Sequence, residues 1–441
     1  MNMSSHYSNT QPIKSQWPSF TSVALACAIS VCSVSAAYAD ARDEAKRMHD
    51  RLAGVPPTEE VLCAMAADIS AGNPEDAAKI VMETGAVTDP SAGNACSTGS
   101  GHTGTIDNSA SKKAFYSVSL KNFVTPWTNV DQTIFAPLND YTATVIGIIR
   151  DDLDFREVLT GNFIYKNPAA AYSDTDNTAY ENLESSHADL SLSSNLAKAN
   201  QSWPDPGGVT TTRAAGEAFF KAGTNRRMFR FTMINYLCRD MEELKDTTRV
   251  PDRIRQDVSR SPGGDSSIFL NSCIGCHSGM DPLAGAYAYY DWAEDTDGAN
   301  GHITYSTSIV HDLAVDPPIK HKYLINASNF PNGYITTDDS WKNYWREGPN
   351  SQLEWDATGD TPVSPGATPS GNGVNSMNKE IANSKAFFKC QVEKVYTHVC
   401  LQSPIYKHTA AVQSITDSFM TDPQHSLRKV FAATAALCSG N

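Results

Sequence analysis

Two cysteines and a histidine near the middle of the chain have the types and the spacing that binding of a porphyrin would need. They belong to the pentapeptide Cys273-Ile274-Gly275-Cys276-His277. On a helix, side chains three residues apart share one face, so both thiols can reach the two vinyl groups on one porphyrin edge. The histidine that follows can present its imidazole to the iron. The spacing predicts one covalent haem c, with Cys273, Cys276 and His277 as binding residues and His277 as the metal ligand.

A structural zinc site and a redox dithiol are the two other interpretations of this pentapeptide. A zinc site would need a second Cys/His pair at short spacing, and the sequence contains no other C-x-x-C. A thioredoxin-like dithiol would need a βαβ setting, which the flanking residues 266–271 and 281–288 do not have. Haem is therefore the favoured interpretation.

The first 39 residues have the features of an export signal. They contain no Asp or Glu and one basic residue, Lys14, and the apolar core over 23–34 is too short to span a bilayer. Ala37-Tyr38-Ala39 fits the small-x-small cleavage rule. No later apolar run is long enough for a membrane span. We therefore expect a signal peptide over 1–39 and a periplasmic or otherwise exported protein with no transmembrane span.

The remaining cysteines agree with an oxidising compartment. Local bridging is expected among the three near the C-terminus, and Cys63 with Cys96 is a second expectation, but the sequence does not determine the pairing. Six cysteines remain outside the signal and the pentapeptide: Cys63, Cys96, Cys238, Cys390, Cys400 and Cys438.

The charge balance excludes one class of partner. The chain has 35 Lys and Arg against 49 Asp and Glu, a formal net charge of −14. Nucleic-acid phosphates would be repelled by this excess of negative charge. The redox partner is unknown, and the charge is compatible with one that offers a basic docking face, although solubility alone explains it equally well.

Hydrophobic periodicity predicts a mainly α, loop-rich helical protein with minor β elements. The pentapeptide adds a single covalently attached haem to this fold. The haem helix is expected at about 266–278, and alternation after residue 302 predicts a short β element. The predicted regions are a signal peptide (1–39), an N-terminal helical region (40–165), a polar connecting segment (166–213), a cytochrome c-like haem region (214–350), a flexible linker (351–376) and a C-terminal helical region (377–441).

The haem segment also resembles a known family. The run from Cys273 through Asp281-Pro282 to Tyr290-Asp291 is similar to the haem region of planctomycete-type cytochrome c proteins and their uncharacterised proteobacterial relatives. Residues 151–165 and 384–400 look like two further segments of those proteins. The chain departs from their pattern at Gly285, which is shifted by one residue. The resemblance implies an exported monohaem cytochrome, whose haem is attached outside the cytoplasmic membrane, and it carries roles over only to Cys273, Cys276 and His277.

The ligand on the other side of the iron stays open. Met280 lies near the same face as His277, so a packing role is favoured for it. The sequence also leaves three functions open. An electron carrier is the leading hypothesis, a peroxidase-type or oxidase-type haem enzyme with an open distal position is the alternative, and a binding protein stapled by haem is a third. The distal candidates are an open position, Met377, His302, His311 and His321.

Overall fold

Three helices open the part of the chain that the computed structural model describes, which covers residues 41–83, 87–88, 105–221, 223–248, 269–296, 300–307, 338–346, 350, 353–355 and 369–439. Local signals mark their ends. The Thr58 hydroxyl caps the second helix by accepting a hydrogen bond from the Val61 amide at 3.3 Å, and Pro74 begins the third, where a missing N–H is harmless. They are α1 (Ala41–Ala53), α2 (Glu59–Ser70) and α3 (Pro74–Met82), and they lie within the predicted N-terminal helical region.

A buried helix forms the centre of the next region. Asn139 caps it by accepting a hydrogen bond from the Thr142 amide at 2.9 Å, and every one of its residues is buried. A π-helical turn and a 3-10 turn precede it, and the 3-10 turn contains Pro126. The elements are α4 (Ser109–Ala114), the π-helical turn Phe115–Ser119, α5 (Leu120–Val124), the 3-10 turn Thr125–Thr128, the buried helix α6 (Asp140–Arg150) and α7 (Glu157–Thr160).

The strands of the described residues form four separate two-stranded antiparallel sheets. The third sheet follows the haem segment, pairs Trp292 with Ile303 and confirms the predicted β element. The pairs are β1 (Val87–Thr88) with β2 (Thr105–Ile106), β3 (Phe163–Lys166) with β4 (Ala197–Asn200), β5 (Tyr290–Glu294) with β6 (Gly301–Tyr305), and β7 (Ser340–Lys342) with β8 (Ser370–Asn372).

The stretch predicted as a polar connecting segment contains more regular structure than its composition indicates. Helix α8 (Thr178–Ser185) lies within it and buries Tyr180 and Leu183. Strand β4 pairs with β3 in the preceding region. Two buried apolar residues are too few to produce a readable period, and pairing with a distant strand leaves no local signal.

The second half of the described chain forms a series of packed helices. The predicted haem helix packs on the helix before it. That helix packs on a long C-terminal helix, which packs in turn on the last two helices. The helices are α9 (Arg213–Phe219), α10 (Asn225–Leu237), the haem helix α11 (Ile274–Ala284), α12 (Gly373–Ala382), α13 (Lys385–Cys400), α14 (Thr409–Thr421) and α15 (Leu427–Ser439). They confirm a mainly α, loop-rich fold.

The predicted flexible linker differs from the structure where its residues are described. Trp355 is buried, β8 lies within the stretch, and α12 begins at Gly373 rather than at Met377. Gly373 has φ 80°, which favours glycine, and the Asp205 carboxylate accepts hydrogen bonds from the first amides of α12. This helix start depends on a carboxylate about 170 residues away in sequence, so composition alone could not reveal it.

One connected cluster of buried apolar side chains joins these elements. The chain from Ala39 onward forms one compact unit. Within its described residues, the cluster extends from Ala45 on α1 through the haem segment to Cys438 on α15. The predicted haem helix is therefore part of the main core.

Candidate haem attachment site

The predicted haem ligands lie at the start of α11. A π-helical turn, Phe269–Cys273, runs directly into the helix, so Cys273 is at the junction and Cys276 and His277 are in the first turn. The helix ends six residues later than predicted, at Ala284, and it contains Pro282. Proline cannot donate to the carbonyl four residues earlier, which explains why the helix ends shortly after it.

The back of α11 is buried and made of small residues. Without a side chain at Gly279, the indole of Trp345 packs directly against the helix backbone. The Ser278 hydroxyl donates to the Asp246 carbonyl at 2.9 Å, and the Asp246 amide donates to the Gly275 carbonyl at 2.9 Å. These contacts hold the helix by one face and fix the direction of the other.

The three predicted haem ligands are less buried than this back face. Cys273, Cys276 and His277 are each partly exposed within the described structure. Neither thiol belongs to a disulfide. The donor set therefore fits a covalent haem, because two thiols one turn apart are available and a histidine follows them.

Cysteine pairing separates these two thiols from others in the chain. The disulfide Cys400–Cys438 confirms the expected local bridging near the C-terminus, whereas Cys390 pairs with Cys238. That second pairing corrects the local expectation, since it links α10 to α13 across 152 residues. Cys63 is buried, and its expected partner Cys96 lies outside the described residues.

Its surroundings make the thiol of Cys276 harder to deprotonate than an ordinary cysteine thiol. Burial raises the pKa of its thiol, Glu242 and Cys273 raise it further, and Lys245 partly opposes them. Among the described residues, no group of three or more His, Cys, Asp or Glu side chains is arranged to hold a metal ion, so a protein-only zinc site has no support there.

The His277 imidazole is hydrogen-bonded to a buried carboxylate. Its Nδ1 lies 3.1 Å from both oxygens of Asp281, one helical turn further along. The carboxylate also receives Nε and Nη2 of Arg226, on α10, at 2.5 and 3.1 Å. An ionised carboxylate only accepts, so Nδ1 carries the proton and Nε2 carries the lone pair that a metal would use.

Asp281 is ionised in this arrangement. Burial raises the pKa of the carboxyl, but the positive charge of Arg226 and the hydrogen bonds from His277 and Arg226 outweigh that effect, and the pKa lies well below its usual value. Its side chain is 2 % exposed. Arg226 is itself held by the N-terminus of α10, where Thr224 caps the helix, and the neighbouring Asn225 donates to the Ala284 carbonyl at 2.9 Å.

The described distal candidates lie on different elements. Met377 is completely buried on α12, which packs mainly on α7, so its surroundings are those of a core residue. His302 lies on β6, partly exposed, with Nδ1 3.8 Å from Asp295. Met280 is buried in the core cluster, in agreement with a packing role. His311 and His321 lie outside the described residues.

Two residues of this site were not assigned a role from the sequence. Asp281 could have been found, because it lies four residues after His277 and that spacing places two side chains on one helix face. Arg226 could not, since 55 residues separate it from Asp281 and α10 shows no local feature that marks it.

Comparison with known proteins adds no relative. The chain has no significant match to any family model, any curated protein or any solved structure. The family resemblance of the haem segment therefore remains an expectation that depends on the motif residues.

The described residues also bear on export. None of their helices is both long and apolar enough to cross a membrane. Two disulfides lie among them, and disulfides persist in oxidising compartments. The predicted signal peptide lies outside the described residues.

Proposed function

We propose that this protein is an exported c-type monohaem cytochrome that transfers electrons, as its resemblance to planctomycete-type cytochrome c proteins implies. The main support is the pair of thiols outside any disulfide, one turn apart, with a histidine beside them on the less buried side of an anchored helix. Other described cysteines are bridged or buried. The thiols of Cys273 and Cys276 would add across two vinyl groups to form thioethers, and Nε2 of His277 would bind the iron.

When bound, haem supplies one-electron exchange between ferric and ferrous iron. The chain's own residues contribute orientation. The buried face of α11 fixes the helix, and the hydrogen bond to Asp281 fixes the tautomer and ring direction of His277. Electron transfer needs no movement of these groups, which suits a helix held by Trp345 and Asp246.

The acidic composition supports a basic docking face on the redox partner. The net charge of −14 would steer a partner of opposite charge, and the association rate would fall as salt rises. The predicted signal peptide over 1–39 and the two disulfides support a location outside the cytoplasm, which covalent haem attachment in bacteria requires.

The test is production of the full chain, with its signal, in a bacterial host that attaches haem c. The purified protein is expected to be red and to carry the added mass of one haem after denaturation. The variant Cys273→Ala/Cys276→Ala should lose that mass, whereas the control Cys63→Ala should keep it. Far-UV circular dichroism would verify that both variants fold. A colourless wild-type protein would refute the proposal.

A haem enzyme is the second candidate, and the burial of Met377 is the observation that favours it. Met377 is completely buried and belongs to the core cluster, as a packing methionine would. An iron without a protein ligand at its distal position could bind small molecules. A ferric spectrum with and without cyanide distinguishes the two, since a high-spin iron that binds cyanide readily favours the enzyme and a six-coordinate low-spin iron favours the carrier.

A further inference from the structure

The contacts behind His277 form a connected set of three charged or polar side chains. Both Asp281 oxygens lie 3.1 Å from Nδ1 of His277, and two nitrogens of Arg226 donate hydrogen bonds to the same oxygens. An arginine fork and a carboxylate match in geometry, which removes the freedom of the carboxylate to rotate. The acceptor for His277 is therefore held in a fixed position by a neighbouring helix.

We propose that Asp281, positioned by Arg226, lowers the reduction potential of the haem bound through His277. The inference depends on the proposed haem attachment and adds a role for two residues outside the C-x-x-C-H motif. Asp281 is a positioning residue, because it acts through His277 rather than on the iron.

The direction of the effect follows from charge. A carboxylate that accepts the Nδ1 hydrogen makes the imidazole more basic at Nε2, and therefore a stronger donor to iron. Ferric haem carries one more positive charge than ferrous haem, so a stronger donor and a nearby negative charge stabilise the ferric form more. Arg226 compensates part of the carboxylate charge, but the hydrogen bond acts on the ligand itself.

Burial strengthens this effect. The Asp281 side chain is 2 % exposed, so little water screens it, and electrostatic interactions are stronger in such surroundings than at the surface. Arg226 makes the burial of the negative charge tolerable, because an unpaired carboxylate would be strongly destabilising there. The pair is thus placed where its influence on His277 is large.

A lowered potential makes the reduced protein a better electron donor than it would be without the Asp281 carboxylate.

The structure offers a matched control at a second buried carboxylate. Glu380 is 3 % exposed and receives Nε and Nη2 of Arg346 at 2.6 and 2.5 Å. The side-chain amide of Asn343 also donates a hydrogen bond to Glu380, at 2.9 Å, and takes the place that His277 has beside Asp281. Neutralising Glu380 therefore removes a buried carboxylate from an arginine fork without touching the haem ligand.

The experiment is optical redox titration of the holoprotein with Asp281→Asn and Glu380→Gln. At the midpoint potential of the wild type, Asp281→Asn should raise the ferrous-to-ferric ratio at least tenfold, equivalent to about 59 mV for one electron. Glu380→Gln should change it by less than about twofold. An Asp281→Asn holoprotein whose ratio moves by less than the control, or falls, would overturn the inference.

A second variant covers failure of Asp281→Asn to fold. Arg226→Lys keeps both charges but loses the fork, so the carboxylate is held less firmly, and the ferrous-to-ferric ratio should rise by more than it does in Glu380→Gln. No rise in Arg226→Lys would then overturn the inference. A wild-type protein without covalent haem would refute the proposed function instead. Failure of the proposed function and failure of the inference about Asp281 therefore give different results.

Discussion

Replacement of Gly279 by alanine tests the packing that orients the haem helix. A Cβ at this position would lie closer than 3.0 Å to the indole of Trp345, which is completely buried. Overpacking of this kind costs about 1–3 kcal/mol, and the better helix propensity of alanine returns about 0.5–1 kcal/mol. Because the overlap with a completely buried indole is severe, we expect a cost at the upper end of that range, and the free energy of unfolding should fall by about 2 kcal/mol.

Gly275 provides the comparison on the same helix. A Cβ there would lie 3.3 Å from the nearest side-chain atoms, those of Lys245 and Thr247, which is tight but can be relieved by small shifts. Gly275→Ala should thus leave the free energy of unfolding within about 1 kcal/mol of wild type. Urea unfolding followed by far-UV circular dichroism measures both variants.

A double substitution decides whether Trp345 is the cause. The double variant Gly279→Ala/Trp345→Leu should lose less stability than the sum of the losses of the two single variants, because the smaller leucine side chain relieves the overlap. The reasoning would be refuted by a Gly279→Ala protein as stable as Gly275→Ala, or by a double variant whose losses simply add.

Two further predictions concern the C-terminal helices and the pH dependence of stability. Removing the disulfide Cys238–Cys390 should lower the free energy of unfolding by about 5 kcal/mol, and removing Cys400–Cys438 should lower it by about 4 kcal/mol. The first disulfide has the larger effect because it closes the longer loop. Urea unfolding midpoints that rank the two variants in the opposite order would contradict this prediction. Burial lowers the pKa of His398 from 6.5 to about 4. Between pH 4 and pH 6.5 the unfolded chain therefore binds more protons than the folded one. The free energy of unfolding should fall by about 1–3 kcal/mol in total on acidification from pH 6.5 to about 4. His398→Gln should lose this part of the dependence in urea titrations across that range, and an unchanged profile would contradict the assignment.

The parts of the fold that the sequence predicts are those set by near neighbours. Thr58 lies three residues before the amide that it caps, and Pro74 marks its own helix start. The haem pentapeptide is also local, since Cys273 and His277 are four residues apart and occupy about one turn.

The parts that the sequence does not predict depend on distant residues. Asp205 sets the start of α12 about 170 residues away, and Cys238 reaches Cys390 across 152 residues. Arg226 reaches the haem helix because α10 packs on α11. Each of these pairings exists only once the chain has folded, and no spacing rule specifies it.

The central claim is that a haem is covalently held by Cys273 and Cys276. Trypsin would release both within one peptide, residues 261–320, which contains no other cysteine. Mass spectrometry of that peptide, from the full chain made in a host that attaches haem c, is expected to show the mass of one added haem. The unmodified peptide, or a haem found on another one, would contradict the account.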